Sequence, residues 1–335
     1  MKNREGNMGN YTEIEKEFND IFSSQVEMII ADGEKHGLND QTITNIITNT
    51  KATILSEMRN KKMKELSSIT GRNVICYVSA WLQSSQGNND LIINDNDMNG
   101  FMNALAGIKD RSKGLDLVLH TPGGVVSATE SIVKYLRKMF NNDIRVIVPH
   151  MAMSAGTMIA CSSKEIIMGK QSSLGPIDPQ YRNVPAQGVI KEFKKAIEET
   201  TRDPNKSLIW REIISQYRPT FVGECENVIR MSNELAKGWL NDCMFKDDKN
   251  KRAKVNKILK EIGSHEASKM HERHYDFEKC KNIGLKVTSL EDNQDLQDKV
   301  LSLYHSYLLS IYQLPNIVKL IENQNGQSLT ISGKR

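Results

Sequence analysis

His120-Thr-Pro-Gly-Gly-Val125 and Met151-Ala-Met-Ser-Ala-Gly-Thr157 each follow directly after a short apolar run of the sequence. The two runs, Leu115–Leu119 and Ile144–Val148, have the length and composition of buried strands, so each motif is predicted to be a turn that leaves a strand. The first turn offers bare backbone amides and the second offers a hydroxyl group. Acyl-transfer chemistry needs this combination, because it requires a nucleophile and donors that hold the oxyanion the nucleophile creates.

Strands and helices alternate on both sides of these two turns. The sequence pattern predicts strands at 73–79, 91–93, 115–120, 144–149 and 165–168, and helices at 97–109, 126–140 and 154–162. Alternation of this kind implies right-handed crossovers and a largely parallel sheet. The predicted fold class is therefore α/β, with a core built of β-α-β units.

Helices are predicted to flank this core at both ends. Thr12-Glu-Ile-Glu15 is a capping-box pattern that opens one helix, and Asn39-Asp40 precedes a second one. Farther along, the sequence becomes helical and charged. The expected organisation is a helical arm at 1–70, a catalytic core at 71–185, a mainly helical part that completes the site at 186–322, and a flexible tail at 323–335.

Composition and charge argue against several classes of protein. The 335 residues carry 45 basic and 41 acidic side chains, and the net charge of +4 argues against a dedicated nucleic-acid binder. The longest apolar runs fall far short of the roughly 20 residues that span a bilayer, and the first residues lack the apolar region of a secretory signal. The five cysteines are scattered, without a Cys-x-x-Cys pair. We therefore expect a cytoplasmic protein with reduced cysteines and no membrane span.

Ser154 is the candidate nucleophile. Its small neighbours Ala155 and Gly156 let a substrate backbone approach and let the chain turn tightly from strand to helix. The helix that begins at Ala155 places its positive end beside the hydroxyl, which favours developing negative charge. The Ala155 amide is one expected oxyanion donor, and Gly123 or Gly124 is expected to supply the second.

The stretch from about Gly71 to Tyr181 resembles the Clp-fold, or ClpP/crotonase-type, serine peptidases. It is closest to the branch called serine dehydrogenase proteinases, which are related to signal peptide peptidase A. The resemblance is carried by Asp116-Leu-Val-Leu-His-Thr-Pro-Gly-Gly124, by Val146-Ile-Val-Pro-His-Met-Ala-Met-Ser-Ala-Gly-Thr157 and by Ser173-Leu-Gly-Pro-Ile-Asp-Pro-Gln180. It implies that Ser154 is the nucleophile and that the Gly123, Gly124 and Ala155 amides line the oxyanion hole. It also implies a homo-oligomer.

The general base is the missing part of this pattern. Clp peptidases have a histidine at the place where this chain has Asp178, and an aspartate at its ordinary pKa of about 4 is a poor base for a serine. Signal peptide peptidases use a lysine instead, which requires a pKa lowered by burial. Lys206, which precedes an apolar helix, is the favoured candidate over three lysines on a charged helix, Lys191, Lys194 and Lys195. His120 and His150, at strand ends, are rival bases or residues that line the site.

Other kinds of enzyme remain open at this point. Ala152-Met-Ser-Ala-Gly156 comes close to the nucleophile elbow of α/β-hydrolases, which would require a late histidine, and the chain has His265, His271, His274 and His305. A crotonase-like acyl-CoA enzyme would also use paired amides, but it would not need a serine at 154. The absent histidine equally allows a scaffold that keeps the fold without activity.

No metal or other cofactor is expected. The loop that begins Asp95-Asn-Asp-Met-Asn-Gly100 has Ala106 where a calcium-binding EF-hand needs a glutamate. Those aspartates are better explained as caps of the following helix. His265-Glu266 lacks the His-Glu-x-x-His spacing of zinc sites, because Lys269 stands at the second histidine position. The chain also lacks a nucleotide-binding Walker motif, so any unfolding of protein substrates requires a separate partner.

The predicted function is therefore that of a serine peptidase. Its substrates are expected to be peptides or unfolded proteins, cleaved by a Ser-Lys mechanism.

Overall fold

The computed structural model describes residues 10–84, 88–181, 184–263 and 273–334. The helices are α1 Tyr11–Lys35, α2 Asp40–Thr70, α3 Asp97–Ala106, α4 Val126–Phe140, α5 Ala155–Cys161, α6 Ala186–Arg202, α7 Ser207–Ile214, α8 Phe221–Trp239, α9 Lys251–Ile262, α10 Phe277–Ile283 and α11 Gln294–Gln313. The strands are β1 Asn73–Ser79, β2 Leu115–His120, β3 Ile144–Val148, β4 Met151–Ala152, β5 Glu165–Met168, β6 Ser173–Leu174, β7 Gln180–Tyr181, β8 Val184–Pro185, β9 Val287–Ser289, β10 Ile317–Asn323 and β11 Ser328–Ser332.

A seven-stranded sheet in the order β11-β10-β1-β2-β3-β5-β9 forms the centre of the molecule. The strands β1, β2, β3, β5 and β9 are parallel to one another. The antiparallel hairpin of β10 and β11 joins the sheet through β1. The α/β class with a mainly parallel sheet is thereby confirmed. In such sheets the strand ends that carry the turns meet at one edge, which is where binding sites form.

The central strands are buried on both faces. In β1, Ile75 and Tyr77 belong to the core covered by α3, α4 and α5, whereas Val74, Cys76 and Val78 belong to the core beneath α2 and α11. This arrangement explains why the strands read as continuous apolar runs rather than as alternating patterns.

The first two helices form a hairpin against the second core. Asn10 and Asn39 cap them, each accepting a hydrogen bond from a backbone amide of the first turn. Ile14 and Phe18 of α1 pack with Leu55 of α2 in a cluster that also contains Leu309 of α11. Within the described ranges, no helix combines the length and apolar character needed to cross a membrane.

A flexible tail at 323–335 is the expectation that the structure contradicts. Residues Ser328–Ser332 form the edge strand β11, and the region from 186 to 322 supplies β9 and β10 to the central sheet. The strand pattern of β10 is hidden in the sequence because it carries two buried charged residues, Lys319 and Glu322. Each is neutralised by a partner far away in the chain, which a local pattern does not reveal.

Two local boundaries also differ from the predicted ones. No strand spans 91–93, where only Ile93 forms a bridge, parallel to Gly124. The helix expected at 97–109 ends at Ala106, before Gly107. The remaining core strands and helices lie at or within one residue of their predicted positions.

Candidate active site

Ser154 lies in a strained turn between β4 and α5. Its φ of 50° and ψ of −115° are rare for an L-residue. Two backbone hydrogen bonds of 3.0 Å fasten the turn to Thr121, one from the Thr121 amide to the Met151 carbonyl and one from the Met153 amide to the Thr121 carbonyl. A strained strand-to-helix turn that presents a serine hydroxyl is the geometry of a nucleophile elbow.

The Pro-Gly-Gly turn approaches this serine so closely that side chains are excluded. Gly123 has a φ of 101°, and a Cβ added there would lie 2.7 Å from the Ser154 Cβ and 2.9 Å from the Ala155 amide nitrogen. A Cβ on Gly124 would lie 2.3 Å from the Ile93 carbonyl oxygen. Both glycines are therefore required by close approach of backbone to backbone.

Two amides in this arrangement remain available to a ligand. Within the described part of the chain, the Gly124 and Ala155 amides donate no hydrogen bond, while the Gly123 amide donates to Thr121 Oγ1 at 3.2 Å. Ala155 is the first residue of α5. Free amides beside a serine hydroxyl can hold an oxyanion, provided that both point at the same position.

Ser154 opens into a cavity of about 530 Å³. Residues 122–127 and the segment around Ile177 and Tyr181 line it. Val228 and Met231 of α8 and Met158 of α5 also belong to the lining. The cavity thus combines apolar residues with free amides and the hydroxyl-bearing residues Ser127, Ser154 and Tyr181, which is the usual composition of a small-molecule or peptide site.

Asp178 is the residue that the resemblance to Clp peptidases aligns with their histidine. Its side chain is buried, with 1 % exposed, and its neighbours Ile177 and Pro179 line the cavity. In the part of the chain that the structure describes, no side chain hydrogen-bonds the Ser154 hydroxyl. In the described residues, the structure therefore presents a serine hydroxyl and free amides without a bonded proton acceptor.

His120 and His150 form a pair that does not line this cavity. Their rings stack with centroids 5.5 Å apart, and His150 Nδ1 lies 3.1 Å from the Tyr304 hydroxyl of α11. His120 is fully buried, and neither ring nitrogen has a hydrogen-bond partner among the described residues. Burial, reinforced by His150, lowers the pKa of His120 to about 3, so its ring is neutral at neutral pH.

Lys206 also lies outside the cavity lining. It ends a short 3-10 turn at 204–206, its side chain is 46 % exposed, and its ammonium pairs with Glu199 at 3.3 Å. The structure of a single chain does not bring Lys206 to Ser154. The apolar helix that follows Lys206, α7, contributes no residue to the cavity lining.

An α/β-hydrolase would need one of the late histidines to act on the serine. His265 and His271 lie outside the described residues. His274 Nδ1 lies 2.9 Å from Ser173 Oγ, and the His305 ring contacts Tyr11 of α1. Across the ranges that the structure describes, no group of three or more histidine, cysteine or acidic side chains is arranged to hold a metal ion.

Two contributions to the site were missed in the sequence. One is Ile92, which lines the cavity and precedes the Ile93 bridge to Gly124. The other is the α8 face with Val228 and Met231, which lies more than a hundred residues along the sequence from the Pro-Gly-Gly turn. A short unpaired segment and a helical face both lack a chemical motif, so only their place in the fold identifies them.

The sequence matches a known protein family over most of its length. The model of the ClpP-like SDH-type serine proteinases matches residues 43–326, most of the chain. The chain belongs to this family. The match includes most of the helix α2, the strand β10 and every part of the candidate site. Membership in this ClpP-like proteinase family was predicted from the three motifs and is confirmed.

Two archaeal proteins share part of this sequence. Uncharacterized protein MJ0137 of Methanocaldococcus jannaschii is 46% identical over 85 residues, which are 25% of this chain and 29% of that protein. Uncharacterized protein MJ1495 of the same organism is 39% identical over 87 residues, 26% of this chain and 30% of that protein. The chain thus spans less than a third of the length of these curated relatives.

Proposed function

We propose that this member of the ClpP-like proteinase family hydrolyses peptide bonds through Ser154. The observation that carries the proposal is the strained Ser154 turn, packed against Gly123 with the Gly124 and Ala155 amides free beside it. A serine held in such a turn exposes its hydroxyl to a bound acyl group. Free amides next to it supply the electrostatic stabilisation that contributes most to acyl transfer.

The reaction would proceed in two stages. Ser154 Oγ attacks the peptide carbonyl carbon while its proton passes to a base, and the carbonyl oxygen becomes an oxyanion that accepts hydrogen bonds from the Gly124 and Ala155 amides, with Gly123 completing the turn. The C–N bond then breaks, and the amine leaves with the proton. Water attacks the acyl-serine in the second stage, releases the acid and restores the hydroxyl.

The base in this proposal is Lys206. Its ammonium pairs with Glu199 outside the cavity, so Lys206 must leave this carboxylate and reach Ser154 before it can act as the base. Asp178, His120 and His150 are weaker candidates. Asp178 is buried, and the two histidines lie outside the cavity lining.

The cavity and the family support a proposal for the substrate and partners. The apolar lining from Met158, Ile177, Val228 and Met231 suits an apolar side chain of an unfolded or peptide substrate. We further propose that the protein acts in the cytoplasm as a homo-oligomer and depends on a separate unfoldase for folded substrates. No cofactor has a role in this chemistry.

A second candidate function is a non-catalytic scaffold that binds peptides. The observation that favours it is the lack of any hydrogen bond between Ser154 Oγ and a basic side chain in the described residues. In this case the cavity would hold a peptide without cleaving it. A crotonase-like acyl-CoA enzyme is disfavoured by the strained serine turn, which that chemistry does not require.

Labelling with a fluorophosphonate probe separates these functions. We expect the wild-type protein to be labelled on Ser154, as located by mass spectrometry of peptides, and Ser154→Ala to remain unlabelled. Ser131→Ala, a change on the exposed face of α4, is the matched control and should label as wild type does. A wild-type protein that is not labelled, or an equally labelled Ser154→Ala variant, would overturn the serine mechanism and leave the scaffold.

The same assay tests the base. Lys206→Ala should lose labelling and peptide hydrolysis, by roughly 100-fold or more for the loss of a general base. Lys195→Ala is the matched control, because Lys195 also faces Glu199, at 3.9 Å. Hydrolysis at the wild-type rate in Lys206→Ala would remove Lys206 from the mechanism while leaving Ser154 in place.

A further inference from the structure

One short segment hydrogen-bonds to the Pro-Gly-Gly turn at 122–124, which we call the oxyanion turn. This clamp segment, Leu91–Asn94, runs alongside the Pro-Gly-Gly turn without belonging to a strand. The Ile93 amide donates to the Gly123 carbonyl at 2.8 Å, and the Val125 amide donates to the Ile93 carbonyl at 2.8 Å. These two bonds hold the residues immediately before and after Gly124. The position of Ile93 therefore determines the orientation of the Gly124 peptide.

A buried lysine holds the clamp segment. Lys319 of β10 has no exposed surface, and its ammonium donates to the Ile92 carbonyl at 2.8 Å and to Asp97 Oδ1 at 2.6 Å. Burial outweighs the attraction of Asp97 and lowers the pKa of Lys319. An ammonium taken out of water is costly unless it is paired and hydrogen-bonded, so this one is held rigidly by its acceptors.

Asp97 holds the other end of the same segment. Its Oδ2 accepts hydrogen bonds from the Asn94 amide at 3.0 Å and from the Tyr77 hydroxyl at 2.8 Å, and its side chain is fully buried. The pair therefore bonds the clamp segment twice, at Ile92 through Lys319 and at Asn94 through Asp97. Ile93, which lies between these two points, has little freedom to move.

We propose that the Lys319–Asp97 pair is the positioning element of the oxyanion hole: through the clamp segment it sets the direction of the Gly124 amide beside Ser154. The inference rests on the proposed function. Lys319 and Asp97 touch no substrate, and act only through Ile92, Ile93 and Asn94. Since an oxyanion donor works only when it is aimed at the developing charge, a small displacement of Ile93 lowers the rate of acyl transfer.

The test removes both charges of the Lys319–Asp97 pair. It compares the effect with that of removing a second buried ion pair that also involves a residue of β10. Lys319→Met/Asp97→Asn removes both charges with little change in volume. Arg59→Met/Glu322→Gln is the matched control, because it neutralises the buried pair of Glu322 without contact to the clamp segment. Both variants are first checked for folding by circular dichroism, and rates are expressed per folded molecule.

We expect the Lys319→Met/Asp97→Asn variant to lose fluorophosphonate labelling rate and kcat for a peptide that the wild type cleaves, each by at least about tenfold. KM should stay within about twofold, because a misdirected oxyanion donor weakens the transition state rather than ground-state binding. The control variant should keep its labelling rate within about twofold of wild type. Equal labelling rates in the two variants would overturn the proposal.

A second measurement does not depend on catalysis. Hydrogen exchange of the Ile93 and Val125 amides should be faster by at least about tenfold in Lys319→Met/Asp97→Asn and unchanged in the control. If the wild type proves inactive but this difference appears, the positioning role stands and the proposed function fails. If exchange is unchanged, the positioning role is wrong whatever the activity. Asp97→Asn alone replaces the double variant if the latter does not fold, and it must also raise exchange at Ile93.

Discussion

Gly123 shows at the scale of a single residue how this site is built. Its φ of 101° is one that residues with a side chain rarely adopt, and the space beyond its Cα is filled by the Met153 carbonyl and the Ser154 Cβ, each 2.7 Å from an added Cβ. The oxyanion turn and the nucleophile turn therefore touch through backbone. Any side chain at this position would push the serine away from the free amides beside it.

Gly123→Ala is predicted to separate the two turns and lower the rate of fluorophosphonate labelling. We expect a loss on the order of 100-fold or more, the range seen when an oxyanion donor is removed. Gly223→Ala on α8 is the matched control, since a Cβ there meets nothing within 4 Å, and it should label at the wild-type rate. A labelling rate for Gly123→Ala within threefold of the control would contradict the role given to the turn.

The strand β10 is the element that joins the C-terminal region to the site. It pairs with β1, and its two buried charged residues point to opposite faces. Lys319 faces Asp97 on one side, and Glu322 on the other accepts two hydrogen bonds of 2.9 Å from Arg59 of α2. Although burial raises the pKa of Glu322, the Arg59 charge and hydrogen bonds hold it below its usual value. One strand thus fastens the helical arm and the clamp segment to the same sheet.

Arg59→Met is predicted to destabilise the protein by about 3–5 kcal/mol, because it leaves the Glu322 carboxylate buried without its partner. Arg59→Met/Glu322→Gln should recover much of this loss, since no charge then remains uncompensated. Urea unfolding of both variants and the wild type measures the difference. Equal free energies of unfolding for the single and double variants would show that the Glu322 carboxylate does not destabilise the protein when Arg59 is absent.

At the scale of the whole molecule, stability depends on groups that bind protons differently in the folded and unfolded states. His120 is the clearest case, because burial lowers its pKa to about 3, against about 6.5 in an unfolded chain. Below pH 6.5 the unfolded state takes up a proton that the folded state does not bind. The stability contributed by neutral His120 is therefore fully present above about pH 6.5 and is lost as the pH falls toward 3.

His120→Gln is predicted to reduce the pH dependence of the free energy of unfolding. Between pH 7 and pH 4.5 the wild type should lose about 2.5 kcal/mol more than this variant, as measured by urea unfolding at both pH values. His36→Gln, on a side chain that is 60% exposed near the end of α1, is the control and should follow the wild type. Parallel curves for His120→Gln and wild type would show that His120 does not titrate as its burial requires.

Much of the core followed from local sequence. The apolar run before His120 predicted β2, and the apolar run Ile144–Val148 predicted β3. Together with the turns that follow them, these runs predicted the alternation of strands with helices. Glycines and small residues around Ser154 predicted a turn with a free hydroxyl and amides. These features can be read from local sequence. Close approach of backbone to backbone requires glycine or small residues, and burial of a strand requires a run of apolar residues.

The tertiary structure decided what depends on distant partners. A lysine at 319 reads as polar in sequence and becomes a buried strand residue only because Asp97, far away in the chain, neutralises it. Lys206 was favoured from its neighbours, yet its partner in the fold is Glu199 rather than Ser154. By itself, the sequence determined the family, the candidate nucleophile and four strands of the central sheet, β1, β2, β3 and β5. Which charges are buried, and what holds the oxyanion turn in place, was decided by tertiary packing, because the cost of burying a charge depends on the partner that the fold brings to it.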